Sequence, residues 1–250
     1  MNLALKWLGS LCTLALLALS PVAAQDNTEL TYADLVERLT DLEYLATLPA
    51  SGEACAQWSS YDRASQWDEE KQEYVNWAAN DDGPHSIRKE GDSFVFAEME
   101  GPGCIWRIWS ARPEKGHLKI YLDGAEEPAV DLPFIGYFNR ENAPFTYPAL
   151  VHETARGQNC YVPIPYQKSC RIVADEGWGR YYHFTYGTFP EGTKVPTFTR
   201  ELSDEAKAAL EKANAFLSEC GRDPAGERPG EVAMSKAIEI GGGDTETLFE

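Results

Sequence analysis

The chain has 250 residues, of which 43% are hydrophobic and 25% are charged. This length suits one large domain or two small ones. Its 40 acidic residues outnumber the 22 basic ones, which gives a net charge of −18. Because nucleic acids and anionic membranes are polyanions, this charge argues against both as partners. It is compatible with a neutral ligand, or simply with solubility.

Residues 1–24 have the layout of a secretory signal peptide. Lys6 supplies a positive start, an apolar run extends from Leu8 to Leu19, and small residues end the segment at Ala24. The run is shorter than the roughly 20 apolar residues that a membrane span needs. We therefore expect a secreted or periplasmic protein, cleaved near Ala24 and not anchored in a membrane.

The next segment, "TYADLVERLTDLEYLATL" at residues 31–48, predicts one continuous helix. Thr31 and Asp34 have the spacing of a capping pair, leucines form an apolar stripe, and Pro49 ends the pattern. Residues 25–50 are accordingly expected to be an N-terminal helical segment.

Most of the chain after residue 50 shows the signature of β-strands. Short stretches alternate apolar and polar residues, with turn residues every 8–12 positions or so, which is typical of a β-sandwich or jelly roll. The clearest stretches are "SFVFAEME", "HLKIYLDG", "NCYVPIPY", "SCRIVA" and "YYHFTYG". We expect a mainly β protein, a jelly-roll β-sandwich with two peripheral helices, whose first domain covers residues 51–222.

The stretch "GPGCIWRIW" places two tryptophans around an arginine in one strand. Strict alternation puts Trp106 and Ile108 on one face, where they are expected to pack between the sheets. Ile105, Arg107 and Trp109 then share the other face. A guanidinium beside an indole can stack and still donate hydrogen bonds, so this face is a candidate ligand surface.

The C-terminal part predicts a second helix and a change of domain. The helix is expected over 204–220, between the N-cap Ser203 and the stop Gly221. Residues 223–230 are polar and rich in glycine and proline, as linkers are. Residues 231–250 resemble the start of another strand, and we expect them to begin a second, truncated jelly-roll domain.

Two further clusters, "WSSYDR" and "NWAANDDG", combine aromatic rings with carboxylate, amide and guanidinium groups. A sugar site uses aromatic faces to cover the ring and polar groups to bind its hydroxyls. The alternative is loop packing, in which Asp and Asn side chains cap their own turns. With Arg107 and Trp109, the candidate substrate-binding residues are Trp58, Asp62, Arg63, Trp77, Asn80 and Asp81.

Other chemistries have little support in the sequence. There is no nucleophile elbow, no phosphate-binding glycine loop and no histidine pair at metal spacing, so neither a metal nor a cofactor is expected. A glycoside hydrolase needs two carboxyl groups, about 5–5.5 Å apart when configuration is retained and further apart when it is inverted. The candidates include Asp62, Asp81, Asp82, Glu98 and Glu100, and their spacing selects no pair. The five cysteines after residue 24 fit either one or two disulfides or buried free thiols.

Five motifs, taken together and in order, resemble the N-terminal half of glycoside hydrolase family 172. They are "SSYDR", "MEGPGCIWRIWSA", "LKIYLDG", "NCYVPIPYQKSCRI" and "YYHFTYGTFPEGT". The similarity runs from Trp58 to Gly192, and more weakly to Glu250. It implies the first half of a tandem jelly roll that assembles as a homotrimer or hexamer.

The resemblance also implies an activity. Members of this family perform retaining hydrolysis or transglycosylation of α-D-fructofuranosides, including difructose dianhydrides, or of α-D-arabinofuranosides. The family's catalytic glutamates lie in the C-terminal half, so they are expected beyond Glu250 and this chain is expected to be inactive alone. Glu246 and Glu250 match neither catalytic motif.

Two alternatives from other functional classes remain open. A single jelly roll also serves as a non-catalytic carbohydrate-binding module, and jelly rolls build symmetric assemblies. The coding sequence after Glu250 distinguishes them. A further domain with a carboxylate pair favours an enzyme that acts on an oligo- or polysaccharide, whereas a stop codon favours binding or assembly.

Overall fold

The computed structural model describes residues 28–63, 65–76, 86–175, 177–178, 181–224, 226 and 228–248. The predicted signal peptide lies outside these residues. The helices are α1 Tyr32–Glu37, α2 Leu42–Leu45 and α3 Asp204–Leu217, and a 3-10 turn spans Phe134–Tyr137. The strands are β1 Ala54–Ser59, β2 Gln66–Asp68, β3 Glu73–Val75, β4 Arg88–Glu90, β5 Ser93–Glu100, β6 Gly103–Ser110, β7 His117–Leu122, β8 Val130–Pro133, β9 Val151–Thr154, β10 Gly157–Cys160, β11 Ile164–Tyr166, β12 Ser169–Asp175 and β13 His183–Thr188.

The strands form two antiparallel sheets that pack face to face. The first sheet has the order β1-β13-β6-β10-β9, with β11 also paired to β6. The second sheet has the order β4-β5-β12-β7-β8, and β2 and β3 form a separate hairpin. Strands distant in sequence are neighbours in both sheets, which agrees with the predicted jelly-roll sandwich.

Apolar side chains from one face of each strand fill the space between the two sheets, as the alternation of apolar and polar residues predicts. In β7, Leu118, Ile120 and Leu122 are all buried. In the NCYVPIPY stretch every second residue, namely Cys160, Val162, Ile164 and Tyr166, is buried as well, and Pro163 lies between the two strands. An aromatic stack continues the core, because the rings of Phe96 and Tyr182 lie 4.2 Å apart. Burial of these apolar side chains is the main force that stabilises the sandwich.

Strand β6 departs from the strict alternation that the sequence suggested. Tyr186 of β13 pairs with Ile105, while the preceding residue, Thr185, pairs with Arg107. Trp106 is therefore an extra residue, and a β-bulge of this kind shifts all later side chains by one face. The prediction that Trp106 and Ile108 share the inter-sheet face is wrong.

Because of this bulge, the inner residues of β6 are Ile105 and Ile108. Both belong to the main core and are 1% exposed. Trp106 instead packs on the outer side of the first sheet, in a second apolar cluster with Leu35 and Phe189. The sequence pattern gave the correct strand and assigned two of its side chains to the wrong face.

The N-terminal segment forms two short helices and not one. Thr31 and Asp34 make the predicted capping box at α1. The carboxylate of Asp41 then accepts a hydrogen bond from the backbone N–H of Tyr44 and caps a new helix, α2. An aspartate that binds nearby backbone N–H groups competes with a continuing helix, which explains the break between α1 and α2.

Helix α3 lies against α1 on the outside of the sandwich. Its side chains Leu210 and Ala213 are buried with Val36 of α1. The helix ends at Leu217, three residues before the predicted end, where the Ser218 hydroxyl donates to the carbonyl of Asn214 at 2.7 Å. In the described ranges, no helix has the length and apolar character that a membrane crossing requires.

The residues after α3 contain no helix or strand within 228–248. The strand expected to begin near residue 231 is therefore not formed in this structure. The side chains of Val232 and Met234 are exposed there. An apolar strand gains stability only when it pairs with a partner and covers one face, and the described residues offer this segment no such partner.

The five described cysteines are all free thiols. Cys104, Cys160 and Cys170 are buried, while Cys55 and Cys220 are exposed. Burial disfavours the charged thiolate and raises the pKa of Cys160 to about 12. Of the two interpretations left open by the sequence, the structure agrees with free thiols.

Candidate functional site

A cleft of about 470 Å³ lies between the outer face of the first sheet and the N-terminal helical segment. Its size is within the range of small-molecule sites in proteins. The walls are mostly apolar, with a few polar groups at defined positions. The lining residues used below are Arg38, Tyr44, Glu53, Trp106, Arg107 and Tyr161.

The floor of the cleft is formed by side chains that the strand register places next to one another. Thr185 of β13 stands opposite Gln57 of β1 on one side and Arg107 of β6 on the other. Residues opposite each other on neighbouring strands share a face, so these three form a polar row. The Thr185 hydroxyl donates a hydrogen bond to the Gln57 side-chain oxygen at 2.9 Å.

Arg107 is held by an amide from the next strand. Its Nε and Nη2 donate to Oδ1 of Asn159 at 3.1 and 2.8 Å. Asn159 is 4% exposed and donates from Nδ2 to the carbonyl of Gly157 at 2.9 Å. The Arg107 guanidinium also lies 5.8 Å from the centre of the Tyr161 ring. A buried, fully engaged amide thus orients a guanidinium at the cleft.

Trp106 forms an aromatic part of the wall. The bulge turns its indole outward, where it meets Phe189 edge-on at 6.4 Å between ring centres. The indole also approaches β13 closely, because a Cβ at Gly187 would fall 2.7 Å from its Nε1. Glycine at this position lets the ring lie against the strand.

The opposite wall of the cleft comes from the N-terminal helical segment and from Glu53, which follows it. Three polar side chains of this wall are joined to one another by hydrogen bonds. Arg38 Nη1 donates to Glu53 Oε1 and to the Tyr44 hydroxyl, both at 2.8 Å. Tyr44 in turn donates to the same Glu53 oxygen at 2.7 Å. Burial, followed by the hydrogen bond to Glu53, raises the pKa of Tyr44. The charges of Arg38 and Glu53 therefore balance each other within this wall.

Trp109 and His183 extend the outer face beyond the cleft. The two residues are opposite each other in the sheet, and their rings lie 4.5 Å apart at an angle of 32°. Burial, together with the nearby charge of Arg107, lowers the pKa of His183. The shift favours the neutral imidazole, whose ring packs against the indole.

The structure places the predicted site residues in three regions. Arg107 and Trp109 share the outer face of the first sheet, as the sequence suggests. Trp58 lies on the opposite side of that sheet, where it packs against the core and donates from Nε1 to the carbonyl of Glu98 at 3.1 Å. Asp62 and Arg63 follow the end of β1.

The two loop clusters are described only in part. Arg63 donates to the carbonyl of Ser59 at 2.9 Å, and its guanidinium lies 4.5 Å from the centre of the Tyr61 ring. Trp77, Asn80 and Asp81 lie outside the described residues. A role in substrate binding stays a prediction for all eight of the residues named from the sequence.

Several residues of the cleft were not predicted as site residues from the sequence. The sequence places Arg38 and Tyr44 in the N-terminal helical segment and Glu53 at the start of the first jelly-roll domain, and it does not predict that their three side chains meet. Tyr161 was visible within the "NCYVPIPY" stretch, but alternation alone did not connect it with Arg107. Asn159 follows from the register of β10 against β6, which a single sequence does not contain.

The cleft supplies binding groups more clearly than it supplies catalytic ones. Among its described lining residues the only carboxylate is Glu53, and Arg38 and Tyr44 occupy it. Glu98, another candidate, is on the second sheet. The hydrogen bond from Arg88 lowers its pKa, whereas a general acid needs a raised one. No group of three or more metal-ligating side chains occurs within the described residues.

Comparison with known proteins agrees with the architecture. Residues 51–206 match the model of the GH172 first beta-sandwich domain. A search among curated proteins gives no match. The matched segment begins before β1 and ends within α3, so it includes both sheets of the sandwich. The chain therefore belongs to glycoside hydrolase family 172 and contains the first β-sandwich domain of that family.

Proposed function

We propose that the chain is the N-terminal part of an exported retaining glycoside hydrolase that acts on α-D-fructofuranosides or α-D-arabinofuranosides. The observation that carries this proposal is the match of residues 51–206 to the family's first sandwich domain. The five ordered sequence motifs support the same furanoside-specific family. The net charge of −18 is compatible with a neutral oligo- or polysaccharide substrate.

The outer face of the first sheet is the proposed sugar-facing surface. Trp109 and His183 offer stacked flat rings, and Arg107 offers oriented donors beside them. Aromatic faces cover the apolar side of a sugar ring, while charged donors bind its hydroxyls. These residues would form the walls of a subsite and would not perform the chemistry.

The chemistry is proposed to come from a second domain. Retaining hydrolysis needs a nucleophile and an acid/base carboxyl about 5–5.5 Å apart. Glu53, the one carboxylate among the described lining residues of the cleft, does not make such a pair. We therefore expect both catalytic carboxylates beyond Glu250, in a domain that completes the site together with the first sandwich.

Export and assembly belong to the same proposal. Residues 1–24 would direct the protein across the membrane and be removed near Ala24. The complete enzyme would assemble as a homotrimer or hexamer. Size-exclusion chromatography with light scattering checks the assembly, and N-terminal sequencing of the exported protein checks the cleavage.

Activity assays test the proposal directly. The chain alone, and the complete enzyme that contains it, are incubated with 4-nitrophenyl α-D-arabinofuranoside and an aryl α-D-fructofuranoside. We expect the complete enzyme to release the phenol and the chain alone to match the buffer rate. Hydrolysis by the chain alone would overturn the division between domains. If neither hydrolyses and the chain still binds the sugars, the carbohydrate-binding module is the better description.

A further inference from the structure

The cleft has one charge that the described protein does not balance. We propose that it binds a small organic carboxylate with a flat apolar body, such as an aromatic acid, whose carboxylate rests on Arg107. This ligand class differs from the neutral furanosides of the proposed activity. The proposal rests on the charge balance of the cleft, on the orientation of Arg107 and on the character of the walls.

The two arginines of the cleft, Arg38 and Arg107, differ in whether a carboxylate balances their charge. Among the described residues that line the cleft, Arg38 is the only other cation, and it forms an ion pair with Glu53 at 2.8 Å. Arg107 has a neutral amide as its hydrogen-bond partner and no ion pair with any described residue. Acidic residues outnumber basic ones 40 to 22 in this chain, so a carboxylate would have been an easy partner to supply. The described part of the cleft thus keeps a net positive charge inside an acidic protein.

The guanidinium is also oriented before any ligand arrives. The side-chain oxygen of Asn159 accepts hydrogen bonds from Nε and Nη2 of Arg107. The amide nitrogen of Asn159 donates to the carbonyl of Gly157, so the Asn159 side chain is fixed at both ends. This arrangement leaves Nη1 of Arg107 without a partner among the described residues. A planar guanidinium is suited to carboxylates, and fixing it in advance reduces the entropy lost on binding.

Inside the cleft, which does not include the proposed sugar-facing rings of Trp109 and His183, the walls favour an apolar body over a neutral sugar. Trp106 and Tyr161 flank Arg107, and Leu39, Leu45 and Pro49 line the cleft with them. A neutral sugar needs many hydrogen-bonding partners, but the polar groups of the helical wall already satisfy one another. A flat apolar group removes wall and ligand surface from water without needing those partners.

Arg171 on the second sheet provides an internal comparison. Its guanidinium lies 5.5 Å from the centre of the Tyr121 ring, close to the 5.8 Å between Arg107 and Tyr161. Unlike Arg107, Arg171 forms an ion pair with the carboxylate of Glu90 at 3.2 Å. Two strand arginines therefore have similar aromatic neighbours, and one of them keeps an unbalanced charge.

Isothermal titration of the chain with four probes tests the proposal. Cinnamate supplies both the carboxylate and the flat body, cinnamamide removes the charge, acetate removes the body, and methyl α-D-arabinofuranoside represents a neutral sugar. We expect cinnamate to bind at least about tenfold more tightly than each of the others, since only cinnamate combines a flat apolar body with a carboxylate that accepts charge-assisted hydrogen bonds from Arg107. Equal affinity for cinnamate and cinnamamide, or no binding of cinnamate, would overturn the proposal.

Three variants locate the binding site. Arg107→Met and Asn159→Asp should each weaken cinnamate binding at least about tenfold, the second because an added carboxylate neutralises Arg107. Arg171→Met is the matched control and should bind as the parent does. Circular dichroism shows whether each variant is folded. If Arg107→Met does not fold, Asn159→Asp alone tests the site. Cinnamate affinity that survives in a folded variant would contradict the proposed site.

This outcome is separable from that of the proposed function. Furanoside hydrolysis by the complete enzyme does not depend on whether cinnamate binds to this chain. If methyl α-D-arabinofuranoside binds in the cleft more tightly than cinnamate, the anion proposal fails and the sugar-facing surface gains support. If cinnamate alone binds, the anion proposal stands whatever the activity assays give.

Discussion

The indole of Trp109 lies over Gly157, so closely that a Cβ at position 157 would fall 2.3 Å from the indole Nε1. Gly157 begins β10, two residues before Asn159, the residue that stands opposite Trp109 in the sheet. The absence of a side chain at this point is what allows the ring to lie flat on the outer face. The stack of Trp109 on His183 therefore depends on a glycine of the neighbouring strand.

Gly157→Ala should displace the indole or strain β10. Overpacking of this kind costs about 1–3 kcal/mol of the free energy of unfolding, which urea denaturation measures. Tryptophan fluorescence should change in the same variant, because Trp109 is forced away from His183. Gly242→Ala is the control, since a Cβ there meets nothing within 4 Å. Equal losses in the two variants would show that Trp109 has room to move.

The bulge in β6 predicts that both isoleucines of this strand support the core. Ile105→Ala and Ile108→Ala should each lower the free energy of unfolding by about 2–5 kcal/mol, because each leaves a cavity between the sheets. Leu48→Ala is a suitable control, as Leu48 is 93% exposed. Strict alternation would instead place Ile105 outside, and a loss below about 0.5 kcal/mol for Ile105→Ala would support that alternative.

The strands that were named from the sequence were predictable for a simple physical reason. A strand that covers a core on one face must alternate, and the buried Leu118, Ile120 and Leu122 show that alternation directly. The bulge at Trp106 was not predictable, since its residue types fit either face. It follows from pairing with β13, and pairing partners lie far away in the sequence.

The candidate site was predictable to a smaller extent. Arg107 and Trp109 share a face in the sequence pattern and in the structure, because both follow the bulge. The helical wall was missed, since a cap at Asp41 competes with the leucine stripe and the sequence contains both signals. Contacts between elements, such as Arg107 with Asn159, arise from strand register and not from local pattern.

The hydrogen-bonded side chains of Arg38, Tyr44 and Glu53 should stabilise the N-terminal segment. Glu53→Gln removes the charge that faces Arg38, whose side chain is 18% exposed while that of Glu53 is 15% exposed. Because a partly buried cation then loses its partner, we expect a loss of about 1–3 kcal/mol in urea denaturation.

An exposed ion pair provides the control for that measurement. In the pair of Arg222 with Glu219, the side chains are 73% and 59% exposed. Glu219→Gln should change the free energy of unfolding by less than about 1 kcal/mol, because solvent screens exposed pairs. If the two variants lose the same free energy, the Arg38–Glu53 contact does not hold the segment.

His183 should make the stability of the protein depend on pH. Burial and the charge of Arg107 lower its pKa below the ordinary value of 6.5. As the pH falls below 6.5, the unfolded chain takes up a proton that the folded chain still refuses, so stability declines until the folded pKa is reached. His183→Gln should lose less stability than the parent between pH 7 and pH 5, as urea denaturation at both values measures. Identical pH dependence in the two proteins would contradict the lowered pKa.

The most direct test of the furanosidase assignment is the stereochemistry of the first product. The complete enzyme is incubated with an aryl α-D-arabinofuranoside, and proton NMR records the anomer of the released arabinofuranose before mutarotation. A retaining mechanism predicts that the α-anomer appears first. Release of the β-anomer first would contradict retention, and the absence of hydrolysis with both α-D-arabinofuranosides and α-D-fructofuranosides would contradict the proposed function itself.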